Sequence, residues 1–105
     1  MKAGKLRHKL IVQQQTDRQA PNGEVIEEYE KVFNAKGDFR FVTGSAILKN
    51  GMAMTSEYAT INMRYDERLS YEHFILFKGN RYSVSMITPN VRYTEMIVTV
   101  MRDVS

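Results

Sequence analysis

Apolar and polar residues alternate along most of this chain, and this period of two restricts the fold more than any other feature. The segment EYATINMRY, residues 57–65, places Ala59, Ile61, Met63 and Tyr65 on one side of an extended backbone. Polar side chains occupy the positions between them. Because successive side chains of a β-strand point to opposite faces, this pattern predicts a half-buried strand.

A hairpin is predicted downstream of this strand. The segment HFILFKGNRYSVSMI, residues 73–87, places two runs of β-branched and aromatic residues around Gly79 and Asn80. Small turn residues between two such runs are a strong hairpin signal. Tyr82 shares a face with apolar residues, as Tyr65 does in the preceding strand, so both are predicted to lie in the core.

Strands are also predicted near the two ends of the chain. LIVQQQ, residues 10–15, predicts the first strand, and RYTEMIVTVMR, residues 92–102, predicts the last. In the last strand Met96, Val98 and Val100 fall on one face, which indicates a buried side.

The segment EVIEEYEKVFNAKGDF, residues 24–39, follows a turn at Pro21, Asn22 and Gly23. Its alternation predicts either one bent strand or two strands. Gly37 marks the bend, because glycine inside a strand pattern often accompanies a sharp change of direction.

Residues 41–56, FVTGSAILKNGMAMTS, have no period of two and no acidic side chain. They predict a long loop, in which Ser45 caps and Gly51 ends one or two helical turns. Loops of this length in a compact domain are often functional. Their apolar residues either cover an open end of the core or contact a partner.

The predicted fold is all-β, a small antiparallel β-barrel or sandwich with one long loop. A chain of 105 residues fits one domain spanning residues 1–105. No apolar run approaches the roughly 18 residues that a membrane-spanning segment needs, so no membrane partner is expected.

Charge is distributed unevenly, although the net charge is only +3. The first 20 residues carry five basic side chains against one acidic one, and residues 22–31 carry four acidic against one basic. Two patches of opposite sign suit head-to-tail self-association or docking on a complementary partner. The alternative is that both are simply solvated surfaces.

Catalysis is not expected from this sequence. There is no cysteine and there are two histidines, His8 and His73, neither at a metal-ligand spacing. No nucleophile elbow or phosphate-binding loop is present, and Asp66 and Glu67 suit ordinary turn roles. We therefore predict a protein that is not an enzyme and that has no metal or other cofactor.

A small nucleic-acid-binding β-barrel module is the alternative function. Such modules bind single strands through aromatic residues flanked by cations. The chain offers both residue types at Tyr58, Arg64, Tyr65, Arg81, Tyr82, Arg92 and Tyr93. The acidic segment around residue 28 would repel phosphate, which weighs against this reading.

Five short segments carry a resemblance to a known family. They are Ala3–His8 running into Leu10–Gln13, Asn22–Glu24 followed by Glu28–Val32, Phe41–Ser45, Ile61–Tyr65, and Phe77–Val84. In order and at compatible spacing over nearly the whole chain, they resemble segments of phage head–tail joining proteins, also called head–tail adaptors or head closure proteins. Tyr29 stands where that family commonly has tryptophan.

The resemblance implies a small β-barrel that assembles as a ring under the portal and its adaptor. There it would close the DNA-filled head and provide the tail attachment site. The implied partners are the portal adaptor or connector protein, a tail completion or tail-tube protein, further copies of the chain, and packaged DNA through non-specific contact. The implied location is the head–tail interface of the virion, after synthesis in the cytoplasm of a bacterial host.

Three groups of residues are predicted to bind these partners. The first group is a basic N-terminal arm, residues 1–9, which docks on an acidic neighbouring protein; the second is its candidate acceptor; the third projects from the loop. The arm residues are Lys2, Lys5, Arg7, His8 and Lys9. The acceptor residues are Glu27, Glu28 and Glu30. The loop residues are Gly44, Ile47, Leu48, Met52 and Met54.

Overall fold

The computed structural model describes residues 8–42, 46–49 and 52–103. These residues form nine β-strands and no helix, so they include no helix that could cross a membrane. The strands are β1 (His8–Gln15), β2 (Arg18–Gln19), β3 (Val25–Ile26), β4 (Tyr29–Phe41), β5 (Ala46–Lys49), β6 (Met52–Arg64), β7 (Phe74–Phe77), β8 (Asn80–Pro89) and β9 (Glu95–Asp103).

Six of these strands form an antiparallel sheet that closes in a ring. Their order is β4-β1-β7-β8-β9-β6, and β4 also pairs with β6, which joins the two edges of the sheet. Closure removes the exposed edges that would otherwise invite pairing with other chains. β2 and β3 form a separate two-stranded sheet. The all-β prediction is confirmed.

Gly37 lies where β4 changes its partner. It is aligned with His8 of β1 and also with Met63 of β6. β4 is therefore one strand that pairs with β1 up to this glycine and with β6 from this glycine onward. A Cβ atom at Gly37 would lie 2.7 Å from Cγ2 of Ile61, so the two strands approach too closely for a side chain. Of the predicted segment 24–39, Val25–Ile26 form the separate strand β3.

The interior of the ring is filled by the predicted apolar faces. Alternate residues of β6 and β9 are buried, and the ring of Tyr82 is fully enclosed. The buried apolar residues are Leu10, Val12, Phe33, Phe39, Ala59, Ile61, Met63, Leu69, Ile75, Phe77, Tyr82, Val84, Met96, Val98 and Val100.

The prediction that Tyr65 lies in the core is wrong. Tyr65 follows the last residue of β6 and is 36% exposed. Its ring packs edge-on against Tyr93, with 5.3 Å between ring centres. The alternation of β6 ends with the strand, so the period of two no longer decides which way this side chain points.

The hairpin between β7 and β8 is confirmed, but its turn lies one residue earlier than the sequence suggests. Lys78 and Gly79 are the central residues, with φ angles of 49° and 80°, while Asn80 already belongs to β8. Positive φ at both central residues is the requirement of a type I′ turn, whose twist matches that of the strands.

The predicted long loop is wrong over the residues that the structure describes. β5 pairs with the start of β6 from Ala46 with Thr55 to Lys49 with Met52, which makes a β-hairpin. Helical turns are therefore absent from residues 46–49. A short apolar run does not distinguish strand from helix by its period alone, which accounts for the error. Ser45 and Gly51, the predicted cap and terminator, lie outside the described residues.

Candidate docking surfaces

Antiparallel pairing gives the closed sheet two ends that carry different segments. The hairpin end carries the start of β1 at His8, the β5–β6 hairpin and the β7–β8 turn. The turn end carries the β2–β3 sheet, residues 65–73 and residues 90–94. The two ends therefore present separate surfaces to any neighbouring protein.

The described part of the predicted basic arm belongs to the sheet. Nδ1 of His8 accepts a hydrogen bond from the backbone N–H of Phe39 at 3.0 Å, and the His8 ring packs edge-on against Phe77 at 5.3 Å. His8 is therefore a half-buried structural residue, while Lys9 next to it is exposed. The other arm residues, Lys2, Lys5 and Arg7, lie outside the described residues.

The predicted acidic acceptor lies at the turn end. Glu28 forms an ion pair with Arg18 at 2.7 Å, whereas Glu27 and Glu30 are exposed and have no ion pair within the described ranges. Gln14 aligns with Glu30, six residues along β1 from His8, which is about 20 Å at strand spacing. The structure therefore does not bring the acidic segment to the start of β1 within one chain.

The apolar residues predicted to dock from a loop lie instead on the β5–β6 hairpin. Ile47 aligns with Met54, and Lys49 aligns with Met52. Within the described ranges this part of β6 pairs only with β5, so the hairpin extends beyond the closed sheet. Leu48 belongs to the same strand as Ile47, and Gly44 lies outside the described residues.

One group of residues that the sequence reasoning did not identify lies on the outer wall of the sheet. The guanidinium carbon of Arg81 lies 3.6 Å from the centre of the Tyr29 ring, and Nε of Arg81 donates a hydrogen bond to Oε1 of Gln13 at 3.1 Å. Tyr29 also packs edge-on against Phe74 at 5.2 Å. We call Gln13, Tyr29, Phe74 and Arg81 the Arg81 cluster.

The Arg81 cluster borders a surface groove of about 330 Å³. Ser83, Met101 and Arg102 complete much of its lining. The cluster contains one residue from each of β1, β4, β7 and β8, so no spacing in the sequence indicates it. The available signal was Arg81 itself, a cation on the polar face of a strand.

A polar network of Tyr82, Glu57 and Arg102 lies beside this groove. The hydroxyl of Tyr82 donates a hydrogen bond to Oε1 of Glu57 at 2.7 Å, and Nη2 of Arg102 donates to Oε2 of the same carboxylate at 3.0 Å. Burial raises the pKa of Tyr82, and its hydrogen bond to Glu57 raises it further. The network holds the end of β9 against β6, where Glu57 and Arg102 are paired.

The side chains of the nucleic-acid alternative do not form one surface. Arg64 and Tyr65 lie at the end of β6, which is opposite β7 in the ring, whereas Arg81 lies over β7 and β1. Tyr82 is fully buried. Tyr65 and Tyr93 pack together at the turn end, but the seven residues as a set do not build one aromatic platform flanked by cations of the kind that binds single strands.

Within residues 8–42, 46–49 and 52–103, no three ligating side chains converge on a point that could hold a metal ion. His73 has a local role, because its Nδ1 accepts a hydrogen bond from the backbone N–H of Ser70 at 3.2 Å.

Comparison with known proteins gives one family and several similar folds. The sequence model of the phage head completion protein family matches residues 1–104. No curated protein matches the chain.

Two solved structures have a similar fold at low identity. The solution structure of protein SF1141 from Shigella flexneri 2a has a TM-score of 0.66 and 16% identity, covering 98% of this chain and 96% of that one. A chain from the virion of a native gene transfer agent particle has a TM-score of 0.71 and 11% identity, covering 94% and 96%.

Proposed function

The chain belongs to the family of phage head completion proteins, and from this membership we propose that it assembles as a ring under the portal and its adaptor. The family identifies it as a structural, non-enzymatic protein of the phage head, with other virion components as partners and the virion as its location. In the proposed ring it closes the DNA-filled head and provides the site to which the tail attaches.

The separation of charge along β1 and β4 supports the ring. Exposed Lys9 lies near the hairpin end, while exposed Glu27 and Glu30 lie at the turn end. Two complementary surfaces that are far apart on one chain meet most readily between neighbouring copies. Such a contact joins different surfaces of two copies, and it forms a ring when the rotation between them closes.

The basic residues Lys2, Lys5 and Arg7 directly precede His8 in the sequence and add to this positive charge. We propose that they dock on the acidic segment of a neighbouring copy or on another acidic virion protein. Reversing the charge of Lys5, Arg7 and Lys9 to glutamate should weaken assembly, with Arg92→Glu as a control on an exposed turn. Unchanged assembly of the triple variant would contradict the proposal that the arm docks on a neighbouring protein.

The β5–β6 hairpin is the second proposed docking element. Its apolar residues Ile47, Leu48, Met52 and Met54 would contact the adaptor or the tail, and Gly44 would be part of the same element. Residues 41–56 contain no acidic side chain, which favours a mild attraction to DNA passing through the ring.

Deleting residues 46–53 tests the role of the hairpin. Because the described residues of this segment pair only within the β5–β6 hairpin, the closed sheet should still fold, as measured by circular dichroism. The variant should no longer join heads to tails. Loss of folding would instead mean that the hairpin is part of the core.

Deletion of the gene from its source phage is the experiment that tests the proposed function as a whole. Electron microscopy of the resulting particles should show heads and tails accumulating separately, with heads that have lost DNA. Normal tailed particles would contradict the connector role. In that case strong, salt-dependent binding of the isolated chain to random DNA would favour the nucleic-acid alternative.

A further inference from the structure

Arg81 is exposed but held in a fixed orientation, and nothing in the proposed arm or hairpin contacts uses it. Its guanidinium carbon lies over the ring of Tyr29, 3.6 Å from the ring centre, and its Nε donates a hydrogen bond to Gln13. The two terminal nitrogens have no partner within the described part of the chain. An arginine held in this way presents the outer edge of its planar fork, which matches both oxygens of a carboxylate.

The surroundings of Arg81 have the composition of a protein interface. Aromatic residues, methionine and arginine are enriched at the centres of protein interfaces, and the groove combines Tyr29, Phe74 and Met101 with Arg81 and Arg102. Arg102 is already bound to the carboxylate of Glu57. Of the two arginines in the groove, Arg81 is therefore the one that has no carboxylate partner.

We propose that the Arg81 cluster docks an acidic segment of a different protein of the virion. A carboxylate of that segment binds the terminal nitrogens of Arg81, and an apolar side chain next to it fills the groove beside Phe74 and Met101. This inference rests on the proposed function, because it takes its partner from the same particle.

The composition of the groove favours a protein carboxylate over the phosphates of DNA. Binding to a nucleic-acid backbone depends on neutralising several phosphates, and its strength follows the number of cations engaged. The groove offers one arginine without a carboxylate partner, set among aromatic and methionine side chains. That arrangement suits one specific contact.

The position of the chain's own carboxylates argues against a second copy as the occupant. Glu30 directly follows Tyr29 in β4 and Glu27 precedes Tyr29 by two residues, so both lie close along the chain to one member of the Arg81 cluster. A contact between copies through both features would therefore be two-fold symmetric. The subunits of a ring meet through different surfaces, so Glu27 and Glu30 of another copy do not supply this carboxylate in the proposed ring.

Reconstitution on heads tests the proposal. Heads are isolated from cells infected with phage that lacks this gene, and purified protein is added. Two steps are then measured: retention of the protein on the heads and subsequent joining of tails. Arg81→Glu should weaken one of these steps at least tenfold, the scale of a lost charge-assisted contact. Arg92→Glu, an equal charge change at an exposed position, should remain within about twofold of wild type.

Two further variants separate orientation from charge and guard against misfolding. Arg81→Lys keeps the charge but removes the planar fork, so its loss should be intermediate. Tyr29→Leu removes the stacking partner without changing charge and should weaken the same step as Arg81→Glu. The two Arg81 variants should keep the thermal midpoint of wild type within a few degrees, since Arg81 is exposed.

Several outcomes would overturn the proposal. These are unchanged retention and joining by Arg81→Glu, an equal loss for Arg92→Glu, a loss seen on DNA-filled heads but not on emptied heads, and altered self-association of the free chain in sedimentation. If wild-type protein neither binds heads nor joins tails, the proposed function falls and this proposal falls with it. Wild-type activity with an indifferent Arg81 variant overturns the docking proposal alone.

Selection of revertants identifies the partner. Phage carrying Arg81→Glu should recover growth through substitution of an acidic residue by lysine or arginine in a different virion gene. Recovery only through changes at Glu27 or Glu30 of this chain would assign the contact to a second copy and overturn the proposal.

Discussion

Replacement of Gly37 by alanine tests how the sheet closes. Gly37 is not among the glycines with positive φ, so alanine is compatible with its backbone conformation. In an unobstructed position Gly→Ala stabilises a protein by about 0.4–1 kcal/mol, because the unfolded chain loses conformational freedom. At Gly37 the new Cβ would lie 2.7 Å from Cγ2 of Ile61, 3.0 Å from the backbone oxygen of Asn62 and 3.3 Å from Cβ of Met63.

The crowding at Gly37 reverses the expected sign. The oxygen of Asn62 and the Cβ of Met63 are fixed to the backbone of β6, so they move only if the strand moves. Overpacking of this kind typically costs about 1–3 kcal/mol, which exceeds the gain from the unfolded chain. We expect a net loss of about 1–2 kcal/mol, equivalent to a fall of roughly 4–8 °C in the unfolding temperature for each kcal/mol.

Urea and thermal unfolding followed by circular dichroism measure this loss. The control is the same substitution in an Ile61→Ala background, where Cγ2 is absent and the penalty at Gly37 should shrink. A double-mutant cycle gives the coupling between the two positions. A gain in stability from Gly37→Ala, or an identical effect in both backgrounds, would refute the reasoning about closure.

Three further predictions concern turns and ionisable groups. Lys78→Asn should stabilise the protein by about 0.5–1 kcal/mol in urea unfolding, because asparagine adopts positive φ more readily at this turn. Tyr82→Phe should cost about 1–2 kcal/mol through loss of the hydrogen bond to Glu57. The pKa of Tyr82 is raised in the folded state, so the contribution of Tyr82 to the free energy of unfolding is complete below about pH 10 and is lost as pH rises through the folded-state pKa. The Tyr82→Phe variant should therefore lose less stability than wild type at alkaline pH. The hydrogen bond from Arg68 lowers the pKa of Asp66, so the contribution of Asp66 is complete above its ordinary value of 3.8 and is lost as pH falls through the folded-state pKa. Asp66→Asn should flatten this acid decline in a pH series of thermal unfolding, and an unchanged decline would count against the pair.

The sequence is most informative where one face of a strand is buried. The alternation in β6 and β9 correctly predicts that Ile61 and Val98 lie in the core, since a period of two maps directly onto inside and outside. The sequence predicts a bend at Gly37, and the structure shows instead that β6 approaches closely at this glycine. These inferences depend on neighbours along the chain.

The remaining features depend on neighbours in space. Ala46–Lys49 form a strand because they pair with the start of β6, and no period in their sequence indicates it. Lys78 occupies a turn position that favours glycine or asparagine, so the turn residues are misassigned from sequence. The Arg81 cluster assembles residues from four neighbouring strands, and only the folded sheet places Arg81 on Tyr29.

Cryo-electron microscopy of the neck of the assembled particle tests the central claim most directly. The account predicts a closed ring of copies of this chain between head and tail, with neighbouring copies in contact through different surfaces. Absence of the chain from that position, or copies bound there without contacting one another, would contradict it.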